Sequence, residues 1–335
     1  MAKILVNYPK ISVCIPAFNA ESTIRSAIKS VLTQSFENFE IIVIDNASTD
    51  NTFNTVKSIN DSRIKVYKND ENIGYPANVN KCLSSSRGEY ITILCADDYF
   101  LHPDVLGIWV KALIENQDCV AVHSPFTHPL QDYSSSDHRK AYTILKEGRN
   151  SPRDVIGSFM SGKGFFGWGW LLRSELVTKN GIRFDESLTM APDTLFWLEV
   201  SMQGNVFETP VNVPAYAFVV HPNSLGTKLF VDFSVRVFNE LLEFEKKLVL
   251  KLEINGHANL LMTNYTPARY TCNECLCILK NNYLKSNISW AHFMREALKL
   301  IAFAPLACAN LRFLKNLIMG FLPRATSIFA RRLLV

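Results

Sequence analysis

Residues 39–50 read FEIIVIDNASTD. The first six are almost wholly apolar and β-rich, as expected of a strand covered on both faces. The run then breaks at once into Asp45-Asn46-Ala47-Ser48-Thr49-Asp50, acids, amides and small hydroxyls. The same grammar recurs on either side. Residues 11–17 (ISVCIPA) form a short β-rich run, and Ile24, Ala27, Ile28, Val31 and Leu32 then follow helical spacing, with Ser22 or Thr23 placed to cap them. Further on, the pattern predicts a helix from about 49 to 59, a strand over 64–67 and a helix over 76–85. A buried strand over 90–95 (YITILC), a helix over 103–114 opening on a proline, and a strand over 119–123 complete the run. Strand, helix, strand repeated four times predicts an α/β fold with a mostly parallel sheet flanked by helices.

Beyond residue 125 the pattern changes. Residues 131–151 are polar (SSSDHRK, then KEGRNSP) and read as a loop or insertion. A strand is expected over 165–173 (FFGWGWLLR), introduced by Gly162, Gly164, Gly167 and Gly169. A helix from about 193 to 203 and strands over 206–208 and 213–220 follow. From Phe233 the sequence is helical, and VFNELLEFEKKLVLKLEI is strongly amphipathic. Residues 290–335 read as short basic amphipathic helices interrupted at Pro305 and Pro323.

Composition narrows the function classes. Of 335 residues, 48% are hydrophobic and 20% charged, a globular balance, and a net charge of +4 is too small to argue for nucleic acid. The positive excess is concentrated in the tail: from Lys285 onward there are eight Lys or Arg and one acid, Glu296. Pro9-Lys10 interrupts what would be the apolar region of a signal peptide, and no window of about eighteen apolar residues offers a membrane span. The eight cysteines therefore read as reduced cytosolic thiols. Cys272, Cys275 and Cys277 form a CxxCxC cluster, but no second pair follows, so small apolar thiols on a helix are the preferred reading.

Ligands of parallel α/β sheets bind beyond the carboxyl ends of the strands. Those ends carry Pro16-Ala17-Phe18-Asn19, Asp45-Asn46 and Ala96-Asp97-Asp98, which converge on one edge. Adjacent carboxylates at the end of an apolar strand repel each other, and a divalent cation removes that cost. Oxygen donors suit Mg2+ or Mn2+, which also bind a diphosphate. The plain alternative is that Asp97-Asp98 caps the next helix. There is no GxGxxG after the first strand, no GxxxxGK[ST] and no GxSxG, which argues against dinucleotide binding, P-loop hydrolysis and serine hydrolysis.

Together the segments ISVCIPAFN, VLTQSFENFEIIVIDNASTDNT, ENIGYPANVNKCLSSSRGEYITILCADDYFLHPD and RSELVTKNGIRFDESL resemble the inverting family 2 glycosyltransferases, of the bacterial polysaccharide or O-antigen type. The resemblance covers about residues 10–225 and implies a GT-A fold with a helical C-terminal extension. It implies a glycosyltransferase domain over 1–228, its donor half about 10–125 and its acceptor half about 126–228, followed by a basic helical region over 229–335. It implies that Pro16, Ala17 and Phe18 form the floor under the nucleotide base, with Asn19 shaping the turn. Asp45 matches the first of a pair of acids, and Asn46 replaces the second, which often reads the base. Gly74, Asn78 and Asn80 match a GYxxNxN pattern near the donor. Asp97 is implied to meet the ribose and Asp98 the metal.

The same resemblance implies that Asp193 is the base that deprotonates the acceptor hydroxyl, with Pro192 in place of the usual Glu. An ordinary N-cap is the alternative for Asp193. His221, in VVHPNSLGT, matches a late His-Pro-x-Ser segment that approaches the metal or diphosphate; the alternative is a surface or packing residue. Trp168 or Trp170 offers an apolar plane for an acceptor sugar, against a place in the strand core.

The expected partners are a nucleotide-sugar donor (UDP-sugar favoured, dTDP or GDP as alternatives) and a glycan or lipid-linked acceptor. The tail, NLRFLKNLIMGFLPRATSIFARRLLV, has the composition of a helix lying in an anionic membrane interface, the alternative being a protein-packing surface. That reading places the protein in the cytoplasm, peripheral at the inner face of the membrane. The alternative function is a catalytically degenerate relative acting as a binding or assembly subunit, a reading drawn from Asn46 and Pro192.

Overall fold

The computed structural model describes residues 10–127, 143, 145–160, 167, 169–189, 191–211, 215–219, 235–259, 294, 295, 297 and 298. The chain divides into two compact units, Met1–Val220 and His221–Val335.

In the first unit the strands are β1 (Ile11–Ala17), β2 (Phe39–Asp45), β3 (Ile64–Lys68), β4 (Tyr90–Ile93), β5 (Tyr99–Phe100), β6 (Cys119–His123), β7 (Phe126–Thr127), β8 (Gly148–Asn150), β9 (Trp170–Arg173), β10 (Asn205–Glu208) and β11 (Tyr216–Ala217). Its helices are α1 (Ile24–Leu32), α2 (Thr52–Lys57), α3 (Tyr75–Ser85), α4 (Val105–Glu115), α5 (Pro152–Met160), α6 (Glu175–Thr178) and α7 (Pro192–Met202). The large sheet runs β3-β2-β1-β4-β9-β6-β10-β8, and a small sheet runs β5-β11-β7.

β1, β2, β3 and β4 are mutually parallel neighbours, as the alternation predicts. β1 and β2 are buried along their whole length, which explains why both lack a polar face. On one side of the sheet Ile24, Ala27, Ile28 and Val31 of α1 are buried at helical spacing in the same core as Val13, Ile41 and Val43. Thr23 occupies the N-cap of α1, but its hydroxyl donates to the Ala20 carbonyl and does not cap the helix.

Three features depart from the sequence pattern. First, β9 runs antiparallel to both β4 and β6, so the parallel run is broken in mid-sheet. The reversal sets Trp170, at the start of β9, opposite His123, at the end of β6. Gly169 makes this entry possible: its φ is +77°, and a Cβ there would lie 2.7 Å from the Ser124 carbonyl oxygen. Second, the polar stretch holds an edge strand, β8, and then α5, which the composition concealed. α5 opens on a reciprocal cap: the Ser151 amide and hydroxyl donate to Asp154 Oδ2 at 2.9 and 2.6 Å. Residues 131–142 and 144 of that stretch lie outside the described residues. Third, of the strand expected over 213–220 only β11 pairs within the described residues. α4 takes Asp104 as its N-cap, so Asp97-Asp98, six or more residues earlier, does not cap it.

The second unit contributes α8 (Val235–Ile254), the amphipathic helix expected there. Phe244, Leu248 and Leu252, four residues apart, are buried, and Leu250 and Ile254 are exposed. The cysteine cluster and the basic tail lie outside the described residues, as do Trp168 and His221. No helix among the described residues is long and apolar enough to cross a membrane.

Candidate active site

Parallel register brings the carboxyl ends of β1 and β2 level, with Ala17 opposite Asp45 and the Asn46 amide donating to the Ala17 carbonyl at 2.8 Å. The two following loops are stapled together. Asn19 and Ala47 both take left-handed backbone, at φ 49° and 57°, a conformation that costs a non-glycine residue about 1–2 kcal/mol. Bonds between the loops hold it: the Asn19 amide donates to Ser48 Oγ at 2.9 Å, and the Thr49 amide donates to Asn19 Oδ1 at 2.9 Å. Asp45 is buried and serves this turn, accepting bonds from the Ser48 amide and hydroxyl, with Lys68 Nζ at 3.7 Å. Pro16 and Ala17 are buried beneath, and the Phe18 side chain is 47% exposed at the lip.

The three asparagines expected at the donor are spent on the protein itself. Asn46 Nδ2 donates to Asn72 Oδ1 and the Gly74 carbonyl, and its Oδ1 accepts from Asn69 Nδ2 and the Ile73 amide. An amide side chain offers two donors and one oxygen, so Asn46 has no donor left to read a base. Asn78 is buried between the Ile44 carbonyl, to which it donates, and Asn69, from which it accepts. Asn80 donates to the Phe184 carbonyl and Glu186 and accepts from the Phe184 amide, clamping the segment before α7 onto α3. All three side chains thus bond to the protein itself and position the segments around them. With Gly74 (φ +85°) as the N-cap of α3, the network fixes where Tyr75, the first helical residue, points.

Tyr75 meets the acidic edge: its hydroxyl bonds to the Cys95 thiol. Past β4 the chain turns through Cys95-Ala96-Asp97-Asp98, closed by the Asp98 amide donating to the Cys95 carbonyl at 3.1 Å. Asp98 is 1% exposed, and Tyr216 Oη donates to its Oδ2 at 2.7 Å while the Val219 amide donates to its Oδ1 at 2.8 Å. Burial, and then the charge of Asp97, push its carboxyl well above the usual range, against the pull of those two donors. Asp97 is less buried and lines a cavity of about 400 Å³ together with Ser22, with Ser26, Lys29 and Ser30 of α1, and with Tyr99. Asp97 thus faces the open space, and Asp98 is held behind it.

Asp193 belongs to the same cluster. It lies in the first turn of α7, after Pro192 and after Ala191 at φ 52°, and its Oδ1 accepts from the Thr194 amide at 2.8 Å. Burial raises its carboxyl to about 6, opposed by backbone N–H groups of the helix start. Its charge, with those of Asp97 and Asp98, lifts the Cys95 thiol, which burial raises first. It also lifts the Tyr75 hydroxyl. Four acidic or thiol groups and one phenol, from strands and helices about a hundred residues apart, therefore share one electrostatic environment. The ligand atoms of Cys95, Asp97 and Asp98 all lie within 4.8 Å of one another. That donor set fits a divalent cation, which would offset the repulsion between its neighbouring carboxylates.

Trp170 does not face this space. It is 1% exposed, stacked on Trp197 at 4.8 Å and packed against His123 at 4.7 Å. A ring so enclosed offers no open face to a sugar, and of the two readings given for it Trp170 takes core packing. Tyr75, Cys95 and Tyr216 were not singled out as site residues from the sequence. Only Cys95 carried a local signal, its place two residues before Asp97 at the end of an apolar strand.

Residues 12–176 match the profile described as glycosyl transferase family 2. They form a family 2 glycosyltransferase domain. Among curated relatives, the UDP-Glc:alpha-D-GlcNAc-diphosphoundecaprenol beta-1,3-glucosyltransferase WfaP of Escherichia coli is 37% identical over 107 residues, 32% of this chain and 39% of that one. The chain spans 39–66% of the length of the first curated relatives it matches. Among solved structures, residues 1–349 of S. aureus TarS in complex with UDP align at a TM-score of 0.57, with 20% identity, covering 82% of this chain and 72% of that one. The mannosyltransferase PcManGT of Pyrobaculum calidifontis, in complex with GDP-Man and Mn2+, aligns at 0.54 with 18% identity, covering 98% and 88%. These likenesses establish the GT-A fold of the family 2 domain.

Proposed function

We propose that the protein transfers a sugar, with inversion, from a nucleoside-diphosphate sugar to a glycan or lipid-linked acceptor in bacterial surface polysaccharide synthesis. The observation that carries this is that Asp97, Asp98 and Asp193 all act on the one Cys95 thiol, past the carboxyl end of β4. A carboxyl raised to about 6 is largely ionised at neutral pH and still basic enough to take a proton from a hydroxyl. The backbone N–H of Thr194 orients it, and Pro192 fixes the helix start. The exposed Phe18 ring supplies an apolar face for the base, and Asp97 lines the space where the ribose and diphosphate would lie. A Mg2+ or Mn2+ ion held by the Asp97-Asp98 turn would stabilise charge on the departing diphosphate.

UDP is the favoured donor nucleotide, in keeping with the names of the relatives that carry UDP or UDP-Glc; GDP, as in PcManGT, and dTDP are the alternatives. The basic tail is proposed to hold the protein at the inner face of the membrane beside a lipid-linked acceptor. Donor hydrolysis measured with several nucleotide sugars and Mn2+ tests the reading. Release of nucleoside diphosphate dependent on both metal and Asp193 supports it. Metal-dependent nucleotide binding without turnover on any donor would favour the degenerate-subunit alternative, and absence of both would remove the donor site altogether. For the tail, a chain ending near residue 282 should sediment less with anionic liposomes than the full chain; equal binding refutes attachment.

A further inference from the structure

The cation site contains sulfur. Its donor atoms are Cys95 Sγ and one oxygen each from Asp97 and Asp98, all within 4.8 Å of one another. A single tetrahedral ion with bonds of about 2.3 Å to sulfur and about 2.0 Å to oxygen needs donors roughly 3.5 Å apart, so modest side-chain rotation closes the set. Cys95 is held for this. Its amide donates to Tyr216 Oη at 3.4 Å, the same hydroxyl that donates to Asp98. The Tyr75 hydroxyl bonds to its sulfur.

We propose that Cys95 is a thiolate ligand of the cation, which makes this site selective for thiophilic divalent ions and a poor host for Mg2+. The proposal rests on the donor-site reading above. On binding, the Cys95 S–H proton leaves to solvent and a metal–sulfur bond forms, with no change of oxidation state. Mg2+ prefers a rigid octahedron of oxygens, whereas thiolate ligands select softer ions. Tyr75, left without the thiol proton to contend with, then serves as a donor to the bound sulfur, an outer-shell contact of the kind that tunes affinity.

The test titrates Cd2+ alone into the reduced full-length chain and follows ultraviolet cadmium–thiolate absorption. Wild type and C95S are compared, so that signal from the seven other cysteines of the eight cancels. The expected result is a saturable difference band, absent in C95S, with Cd2+ affinity lowered at least about tenfold. In D97N the same band should shift to higher Cd2+ concentration, because the sulfur binds together with that carboxylate. C95D, an all-oxygen site, should bind UDP as well with Mg2+ as with Mn2+, which also guards against a misfolded serine variant. Identical absorption from wild type and C95S overturns the proposal, as does a Cys95 band indifferent to D97N. If UDP binding needs a divalent ion but Cys95 gives no band, only the sulfur ligand fails. If wild type shows no ion-dependent UDP binding at all, the donor-site reading itself falls.

Discussion

The two ends of the central sheet treat buried carboxylates in opposite ways. At the amino end, Glu40 near the start of β2 is 3% exposed, yet it accepts from Ser12 Oγ at 2.7 Å, Lys65 Nζ at 2.6 Å, and the amide and guanidinium of Arg87 at 3.0 Å. Burial works to raise its carboxyl, but these donors outweigh it and hold the group below its ordinary 4.5. At the carboxyl end, Asp98 and Asp193 have fewer donors and, among the described residues, no cation bonded to them, and burial wins. The first arrangement consumes its negative charge and stabilises the fold. The second leaves negative charge unbalanced, which is a cost unless something positive arrives. A ligand site and a structural lock can thus be told apart by the sign of the shift, where burial alone would not separate them.

The largest effect expected from this contrast is on rate. Removing the Asp193 charge with D193N should lower turnover about 10²–10⁴-fold, with nucleotide affinity little changed. A loss confined to nucleotide affinity would break the assignment of Asp193 to the acceptor side. Next in size is E40A, expected to cost about 3 kcal/mol in urea unfolding, because it strands Ser12, Lys65 and Arg87. Its turnover per folded molecule should stay at the wild-type level; a variant stable but inactive would place Glu40 in the wrong class.

The pH dependences should oppose each other. Asp193 binds its proton more tightly folded than unfolded, so the protein loses stability as pH rises from the ordinary 3.8 through about 6. D193N should remove that loss and be the more stable protein at pH 8, while the wild-type rate rises with an apparent pKa near 6. Glu40 contributes stability that is present above about 4.5 and lost as pH falls through its lowered value, so E40Q should flatten the acid limb. Thermal melts of the three proteins from about pH 2 to pH 8 would check both signs. The smallest effect is that of Y216F, which deletes the hydroxyl bonded to Asp98 and should cost about 1 kcal/mol of stability. It should also weaken Mn2+-dependent nucleotide binding, unlike an ordinary core Tyr→Phe change.

Much of the donor-side architecture was legible because it is local. FEIIVI and YITILC are bounded by polar breaks, and their neighbours pair in register, so strand ends and their acids could be placed from the sequence. The identity of the groups that occupy each acid was not legible. Asp98 is pinned by Tyr216 and Val219, more than a hundred residues later. Asn46 and Asn78 look like ligand-binding amides until Asn69 is seen between them. α5 was hidden because its cap, Ser151 with Asp154, sits in a polar run that reads as loop. The reversal of β9 depends on Gly169 passing the Ser124 carbonyl, a contact that no periodicity encodes. Trp170 shows the same limit: alternation along a strand fixes which side a ring takes, but not that another ring already covers it.

The Asn80 clamp has a consequence for exchanging parts between relatives. Its three bonds to Phe184 and Glu186 tie α3, on the donor side, to the segment that delivers Asp193. A chimaera joined near residue 125 would inherit Asn80 from one parent and its partners from the other, and would divide Asp98 from Tyr216 in the same cut. Recombination of acceptor specificities on this scaffold should therefore succeed when residues 80, 98, 184, 186 and 216 travel as one set, and yield idle proteins when they do not.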